Sequence, residues 1–182
     1  MQSDIEFKKF NLFFQDESRF GLFTRNGKSL TAKAVKPKCL YQQVFLSLYL
    51  FGAFSPITGD SFLLELPNCN SENFQIYLDE FSKAFPDSYN IIVLDNGAFH
   101  KAKTLKIPKN IGLIFLPPYS PELNPAENMW AQFKRAYTNL FCKTLDDVSN
   151  FITSFIQNLT KEKIKKTCGF DYIFLDKIWT KL

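Results

Sequence analysis

Ile91-Ile92-Val93-Leu94-Asp95-Asn96-Gly97 is a short, fully apolar run that ends in an aspartate and a turn pair. Consecutive apolar residues, most of them β-branched, are typical of a buried strand, and Asn-Gly is a common turn dipeptide. The sequence therefore predicts a strand that brings the Asp95 carboxylate to the edge of a sheet. A simpler alternative stays open, because Asp-Asn-Gly after a strand is also an ordinary turn composition.

Other apolar runs complete the predicted sheet around this strand. Earlier strands are predicted at residues 10–15, 19–25, 42–54 and 61–66, and the short turns between the long runs indicate an antiparallel meander. A later strand is predicted at 111–116, where Pro117-Pro118 closes the run.

Helical periodicity alternates with the later strands. Helices are predicted at residues 71–85, at 98–106 and from Pro125 to about residue 138, and two more within 144–167. The third has the clearest start, since Asn124-Pro125-Ala126-Glu127 combines a capping residue, a proline for the first turn and a glutamate three residues after the cap. The order predicts an α/β fold, a mixed sheet flanked by helices, in one domain spanning 1–182 with a core at about 10–140 and C-terminal helices at about 144–175.

The composition narrows the function classes. The 182 residues carry a formal charge of +4, which suits a phosphate-bearing partner but does not require one. The four cysteines form no CxxC pair and there is a single histidine, so a zinc site is not expected. The longest uncharged stretch, residues 39–59, contains polar residues and turn signals and is not expected to span a membrane. These features predict a cytoplasmic protein with reduced thiols.

Two further acidic residues occupy positions comparable to that of Asp95. Asp16 follows the apolar run of the first predicted strand, and Glu127 lies just inside a helix start. If the two strands are neighbours and the helix packs beside them, the three carboxylates converge on one edge of the sheet. Three hard oxygen donors in one cleft are what Mg²⁺ or Mn²⁺ needs for phosphodiester chemistry.

Each of these two residues also has a simpler explanation. Glu127 could be a capping-box residue whose side chain reaches back to the amide of Asn124. Asp16 could merely end its strand, and its neighbour Glu17 leaves open which carboxylate points inward. Successive strand residues face opposite sides of a sheet, so only one of the pair can serve the cleft.

Several neighbours are candidates for supporting roles. Asn96 could hold the adjacent carboxylate or complete its turn, and Asn124 could fix the helix that carries Glu127. His100 is either a packed histidine or a group that orients the site or contacts DNA.

Basic and aromatic residues on the same predicted helix raise a similar choice. Lys134 and Arg135 lie two turns beyond Glu127, where one could hold a phosphate or both could simply be solvated. Trp130 could stack on a base, although core packing explains it equally well.

Three motifs, in this order along the chain, resemble those of the mariner-related bacterial insertion-sequence transposases. The resemblance spans roughly residues 10–140, and the third motif is long and specific. The motifs are Phe14-Gln15-Asp16-Glu17-Ser18, Leu94-Asp95-Asn96-Gly97-Ala98-Phe99-His100-Lys101-Ala102 and Leu116-Pro117-Pro118-Tyr119-Ser120-Pro121-Glu122-Leu123-Asn124-Pro125-Ala126-Glu127-Asn128-Met129-Trp130.

The resemblance implies a ribonuclease-H-like fold and an enzyme that cleaves transposon ends and transfers strands into target DNA. It assigns Asp16, Asp95 and Glu127 to a DDE triad that binds two divalent ions, Mg²⁺ or Mn²⁺. It also implies double-stranded DNA as partner, a homodimer in the DNA complex and association with the bacterial nucleoid. The N-terminal helix-turn-helix module of such enzymes is expected to be absent here or separately encoded.

Two other functions are compatible with these motifs. The chain could be a non-catalytic remnant or an assembly partner of a full-length transposase. It could also be another metal nuclease of the same fold, such as a junction resolvase, but that would leave the proline-rich third motif unexplained.

Overall fold

The computed structural model describes residues 7, 9–28, 30–38, 40–171 and 173, and these contain five strands and four α-helices. The strands are β1 (Lys9–Gly21), β2 (Ser47–Phe54), β3 (Ser61–Leu66), β4 (Ser88–Leu94) and β5 (Ile111–Phe115). The helices are α1 (Ser71–Ala84), α2 (Ala126–Tyr137), α3 (Leu145–Gln157) and α4 (Lys161–Cys168). Short 3-10 helices lie at Ala98–Lys101 and Pro121–Leu123.

The five strands form one mixed sheet in the order β3-β2-β1-β4-β5. The β1–β2 and β2–β3 pairs are antiparallel, whereas β1–β4 and β4–β5 are parallel. This confirms the predicted mixed α/β sheet with a meander followed by parallel strands.

The first strand differs from the prediction. Residues 10–15 and 19–25 were expected to be separate strands, with Asp16 at the end of the first, but β1 is continuous and Asp16 lies inside it. The polar residues Asp16, Glu17 and Ser18 pair with Gly52, Phe51 and Leu50 of β2. Backbone hydrogen bonds to a neighbouring strand do not depend on side-chain polarity, so a local polar stretch does not break the ladder.

Smaller differences concern the ends of elements. The strand predicted at 42–54 begins at Ser47, and the helix predicted at 98–106 is a single 3-10 turn, Ala98–Lys101. The expected C-terminal helices are present as α3 and α4, while the part of that prediction beyond residue 173 lies outside the described residues. No helix in the described part of the chain is long and apolar enough to cross a bilayer.

Each face of the sheet carries its own core, because successive residues of a strand point to opposite sides. Leu12 and Phe14 of β1 belong to the core that packs against α2, α3 and α4. Phe13 belongs to the core that packs against α1, which is rich in phenylalanine and tyrosine. Side chains that alternate along β1 therefore face two cores with different neighbours.

Candidate active site

The sheet register brings Asp16 and Asp95 to the same level of two neighbouring strands. Phe14 of β1 pairs with Val93 of β4 in parallel, and each aspartate lies two residues beyond its paired residue (16 − 14 = 95 − 93 = 2). Parallel strands end at the same edge of a sheet, and β4 ends at Leu94. The predicted convergence of these two acids follows from this pairing.

Glu127 reaches the same place from the first turn of α2. Three residues later, Trp130 packs against the sheet with a side chain that is almost fully buried. It lies over Gly52, the residue opposite Asp16 in β2, where an added Cβ would come within 2.7 Å of the indole Cη2 atom. The absence of a side chain at Gly52 therefore lets α2 approach the sheet closely beside Asp16. Core packing, not base stacking, explains Trp130.

The three acids line one cavity of about 560 Å³, together with the Leu116–Pro121 loop. Asp95 and Glu127 are exposed, while Asp16 at its floor is partly buried. Among the residues that the structure describes, no three acidic, histidine or cysteine side chains are close enough together to hold a metal ion. The carboxylates thus share a cavity without forming a closed cage of ligands.

Burial raises the pKa of Asp16 to about 8, and repulsion by Glu17, Glu127 and Asp95 adds to the shift. A carboxylate that is desolvated beside other carboxylates resists ionisation. Strongly perturbed acids in a cleft are typical of functional sites, because metal binding and catalysis require acidic groups to be held close together and away from water.

Glu17 lies on the other side of β1 and does not line this cavity. Its Oε1 atom is 3.0 Å from Nε2 of His100 and also accepts a hydrogen bond of 2.7 Å from Gln15 Nε2. Of the pair Asp16 and Glu17, the structure therefore brings Asp16 to Asp95 and Glu127. This placement could not be decided from spacing.

His100 links the two faces of the site. Its Nδ1 atom is 2.8 Å from Asp95 Oδ1, so the buried imidazole bridges Asp95 and Glu17. The ring packs against Phe74 and Phe99 with centroids 4.5 and 4.0 Å away. The ring can donate to both carboxylates only when each nitrogen carries a hydrogen. The ring is therefore packed, as one of the two alternatives from the sequence had it, and it also contacts Asp95; an orienting role stays a prediction.

The turn after β4 has the predicted local structure. The Gly97 amide donates to Asp95 Oδ1 at 2.9 Å, so Asp95 is a turn residue as well as a cavity residue. The Asn96 side chain donates to the Leu116 carbonyl and joins the ends of β4 and β5. Asn96 thereby holds the loop that carries Asp95 and does not contact the carboxylate itself in any hydrogen bond of the described residues.

Asn124 fixes the start of α2 against β1. Its buried side chain donates to the Gln15 carbonyl at 2.9 Å and accepts from the Ala126 amide at 3.1 Å. The helix begins at Ala126, so Pro125 is its cap residue, where Asn124 was expected. Within the described residues no hydrogen bond joins the Glu127 carboxylate to Asn124, so the capping-box alternative is not borne out.

Lys134 and Arg135 line a second cavity, of about 440 Å³, that also includes Glu127 and Arg25. Two or three cationic side chains next to an acidic site can hold the phosphates of a strand whose reacting phosphate lies at the acids. Arg25 was not identified from the sequence. Its signal was present, because residues 18–59 contain six Lys or Arg and no Asp or Glu.

The donor set fits a hard divalent cation. Asp16, Asp95 and Glu127 supply only carboxylate oxygens, which Mg²⁺ and Mn²⁺ prefer. Burial is the main cause of the raised pKa of Asp16, and repulsion by Glu17, Glu127 and Asp95 adds to it; a divalent cation between the carboxylates would offset that repulsion.

Comparison with known proteins identifies the family and the fold. A family model described as DDE superfamily endonuclease matches residues 11–149. An uncharacterized protein of Sinorhizobium fredii (strain NBRC 101917 / NGR234), y4pE/y4sA, is 43% identical over 103 residues, 55% of this chain and 76% of that protein.

Solved structures of the Mos1 mariner transposase share the fold. The Mos1 strand transfer complex superposes with a TM-score of 0.69 at 15% identity, covering 87% of this chain and 50% of the Mos1 chain. The Mos1 mariner paired-end complex with Mn gives a TM-score of 0.67 at 15% identity, over 87% and 52%. The chain thus spans about half the length of these solved chains. The shared fold confirms the expected ribonuclease-H-like architecture.

Proposed function

The chain belongs to the DDE superfamily endonuclease family, and on that premise we propose that it is the catalytic domain of a DNA transposase. The reaction is in-line displacement at a DNA phosphodiester. Water is the nucleophile when a transposon end is cleaved, and a DNA 3′-hydroxyl is the nucleophile when the strand is transferred to target DNA. The observation that carries the proposal is the convergence of Asp16, Asp95 and Glu127 on one cavity.

Each group of residues has a part in this proposal. Asp16, Asp95 and Glu127 would hold the divalent cations, which, when bound, activate the nucleophile and stabilise the leaving oxygen. His100 holds Asp95 through its Nδ1 atom and acts as a positioning residue. Lys134 and Arg135 neutralise phosphates of the strand that continues past Glu127.

The direct test is nicking of labelled transposon-end DNA with Mn²⁺ by the parent chain and by Asp95→Asn. The parent is expected to cut, and Asp95→Asn is expected to lose on the order of a thousandfold in rate because one oxygen donor is gone. Asp87→Asn, an exposed aspartate away from the cavity, is the matched control and should cut normally. Equal cleavage by the parent and Asp95→Asn would remove Asp95 from the mechanism.

A second measurement separates an active enzyme from a non-catalytic remnant. Millimolar Mn²⁺ should raise the melting temperature of the parent, because binding to the folded state alone stabilises it. Asp95→Asn should show a smaller rise. A chain that neither cuts DNA nor responds to Mn²⁺ and Mg²⁺ would be a remnant or an assembly partner.

A further inference from the structure

A cavity of about 570 Å³ lies between the end of β1, the segment that follows it and α2, beyond the two cavities already described. We call it the basic groove and define it by Arg19, Phe23, Arg25, Phe45 and Lys134. Its charged lining residues are all cationic, and within the described part of the chain Arg19, Arg25 and Lys134 form no ion pair. The groove therefore presents uncompensated positive charge.

Two aromatic rings form the rim of the basic groove. Phe23 and Phe45 stack on each other with centroids 5.5 Å apart and planes 30° apart. Phe45 is 71% exposed, and the part of its ring that Phe23 leaves uncovered therefore faces solvent. Tyr41, itself exposed, contacts the edge of Phe23. Exposure of apolar rings to water is unfavourable, so a group of exposed rings beside cations indicates a binding surface.

The basic groove is linked to the acidic cavity by lining residues that both share with the cavity between them. Arg25 and Lys134 line both the groove and the neighbouring cavity of about 440 Å³, and Glu127 lines both that neighbour and the acidic cavity. The carboxylates, the unpaired cations and the open aromatic rings therefore line three neighbouring cavities in that order. Arg19 is held in place in the groove, because its Nε donates to Ser47 Oγ at 2.8 Å.

We propose that the basic groove binds an unpaired DNA strand that continues from the acidic cavity. The inference rests on the proposed function, since it names how the substrate of that site is held. Cations alone would fit the backbone of a duplex, but open rings fit the faces of bases, which a duplex hides. Cations combined with stacking rings are the features that hold single strands.

A second copy of this chain fits the groove less well. A symmetric pair would bring the same cationic segment of both copies together, and residues 18–59 carry six positive charges with no acidic residue to offset them. A polyanion is the partner that this charge distribution favours.

The test is equilibrium binding of the whole chain, in EDTA, to a labelled strand of about twelve thymidines and to a duplex of the same length. Phe45→Ala is expected to weaken single-strand binding at least about fivefold and to leave duplex binding within about twofold. Phe45→Trp keeps an aromatic face and should bind the single strand as tightly as the parent. Phe45 is exposed, so these changes are not expected to unfold the chain.

Removal of a cation should have a different signature. Arg25→Ala is expected to reduce the slope of log affinity against log salt by about 0.7, the value for one phosphate contact of a single strand. Phe45→Ala should leave that slope unchanged. Phe10→Ala and Lys83→Ala are matched controls, since both side chains are exposed and neither lines the groove.

Three results would overturn the proposal. These are equal weakening of single strand and duplex by Phe45→Ala, no effect of either groove variant, and a change of oligomeric state in Phe45→Ala without a change in strand affinity. The last result would identify the groove as an interface between copies. Because binding is measured without metal, a chain that binds the strand but never cuts DNA contradicts the proposed function alone.

Discussion

Asp16 and Glu17 are consecutive residues of β1 whose carboxylates lie in opposite environments. Asp16 faces the cavity with Asp95 and Glu127, and in the described residues no cation pairs with it. Glu17 faces α1, where His100 and Gln15 contact its oxygen. On one side of the strand, carboxyl groups share a cavity without a cationic partner, while on the other side a buried carboxyl group is satisfied by hydrogen bonds. The arrangement around Asp16 lowers the stability of the fold and suits cation binding, whereas the arrangement around Glu17 stabilises the fold.

The largest expected difference between the two residues is in catalysis. Asp16→Asn should reduce Mn²⁺-dependent cleavage on the order of a thousandfold, because a direct ligand is lost. Glu17→Gln should reduce it no more than about a hundredfold, since it acts only through His100 and Asp95. Single-turnover cleavage of labelled DNA measures both. Equal losses in the two variants would mean that Glu17 is itself part of the metal site.

The interactions of Glu17 can be tested by replacing His100. His100→Phe keeps a ring between Phe74 and Phe99 but removes both donors, and should lower the free energy of unfolding by about 3 kcal/mol because Glu17 loses its buried partner. In a Glu17→Gln background the same change should cost at least about 1 kcal/mol less, since no buried charge is left behind. Urea denaturation of the four chains gives this coupling. Additive effects would show that Glu17 does not depend on His100.

The Asp16 side should make the stability of the chain depend on pH. Its pKa is raised from 3.8 to about 8, so the folded chain binds this proton more tightly than the unfolded chain and stability falls as pH rises from about 4 to about 8. Asp16→Asn removes that dependence. In EDTA it should stabilise the chain by roughly 3 to 4 kcal/mol more at pH 8 than at pH 5.

The control for this prediction is an exposed carboxylate. Asp87→Asn should change stability little at either pH, because Asp87 is outside the cavity. An Asp16→Asn variant with the same stability gain at both pH values would indicate that the effect comes from packing and not from the proton.

Local signals in the sequence were enough to predict most of the elements and the three acids. The run Ile91–Leu94 gave a strand because its apolar residues are continuous, and Glu127 was placed at a helix start by Asn124 and Pro125. The candidate metal ligands could also be predicted from local sequence, since the sequence itself gives the positions of aspartate and glutamate. The predicted break of β1 at Asp16 was wrong because pairing with β2 is a property of the sheet and not of the residue.

What could not be predicted depends on contacts between distant residues. The level at which Asp16 meets Asp95 follows from the register of β1 with β4, and the His100–Glu17 contact joins residues 83 positions apart. The approach of α2 depends on Gly52, a residue that looks like an ordinary interruption of an apolar strand. Its role appears only when Trp130 is seen above it.

The smallest expected effect tests that approach. Gly52→Ala would place a Cβ within 2.7 Å of Trp130, so it should lower the free energy of unfolding by about 1.5 kcal/mol through overpacking. In a Trp130→Phe background, which lacks the atom concerned, Gly52→Ala should cost less than about 0.5 kcal/mol.

Since Glu127 is carried by the same helix, Gly52→Ala should also slow Mn²⁺-dependent cleavage. Ala53→Gly is the control, because the Ala53 side chain faces the α1 core and its removal leaves the position of α2 unchanged. If Gly52→Ala slows cleavage and Trp130→Phe then restores the parent rate, this one close contact sets the distance between Glu127 and Asp16. An equal cost of Gly52→Ala in both backgrounds would place the strain elsewhere in the strand.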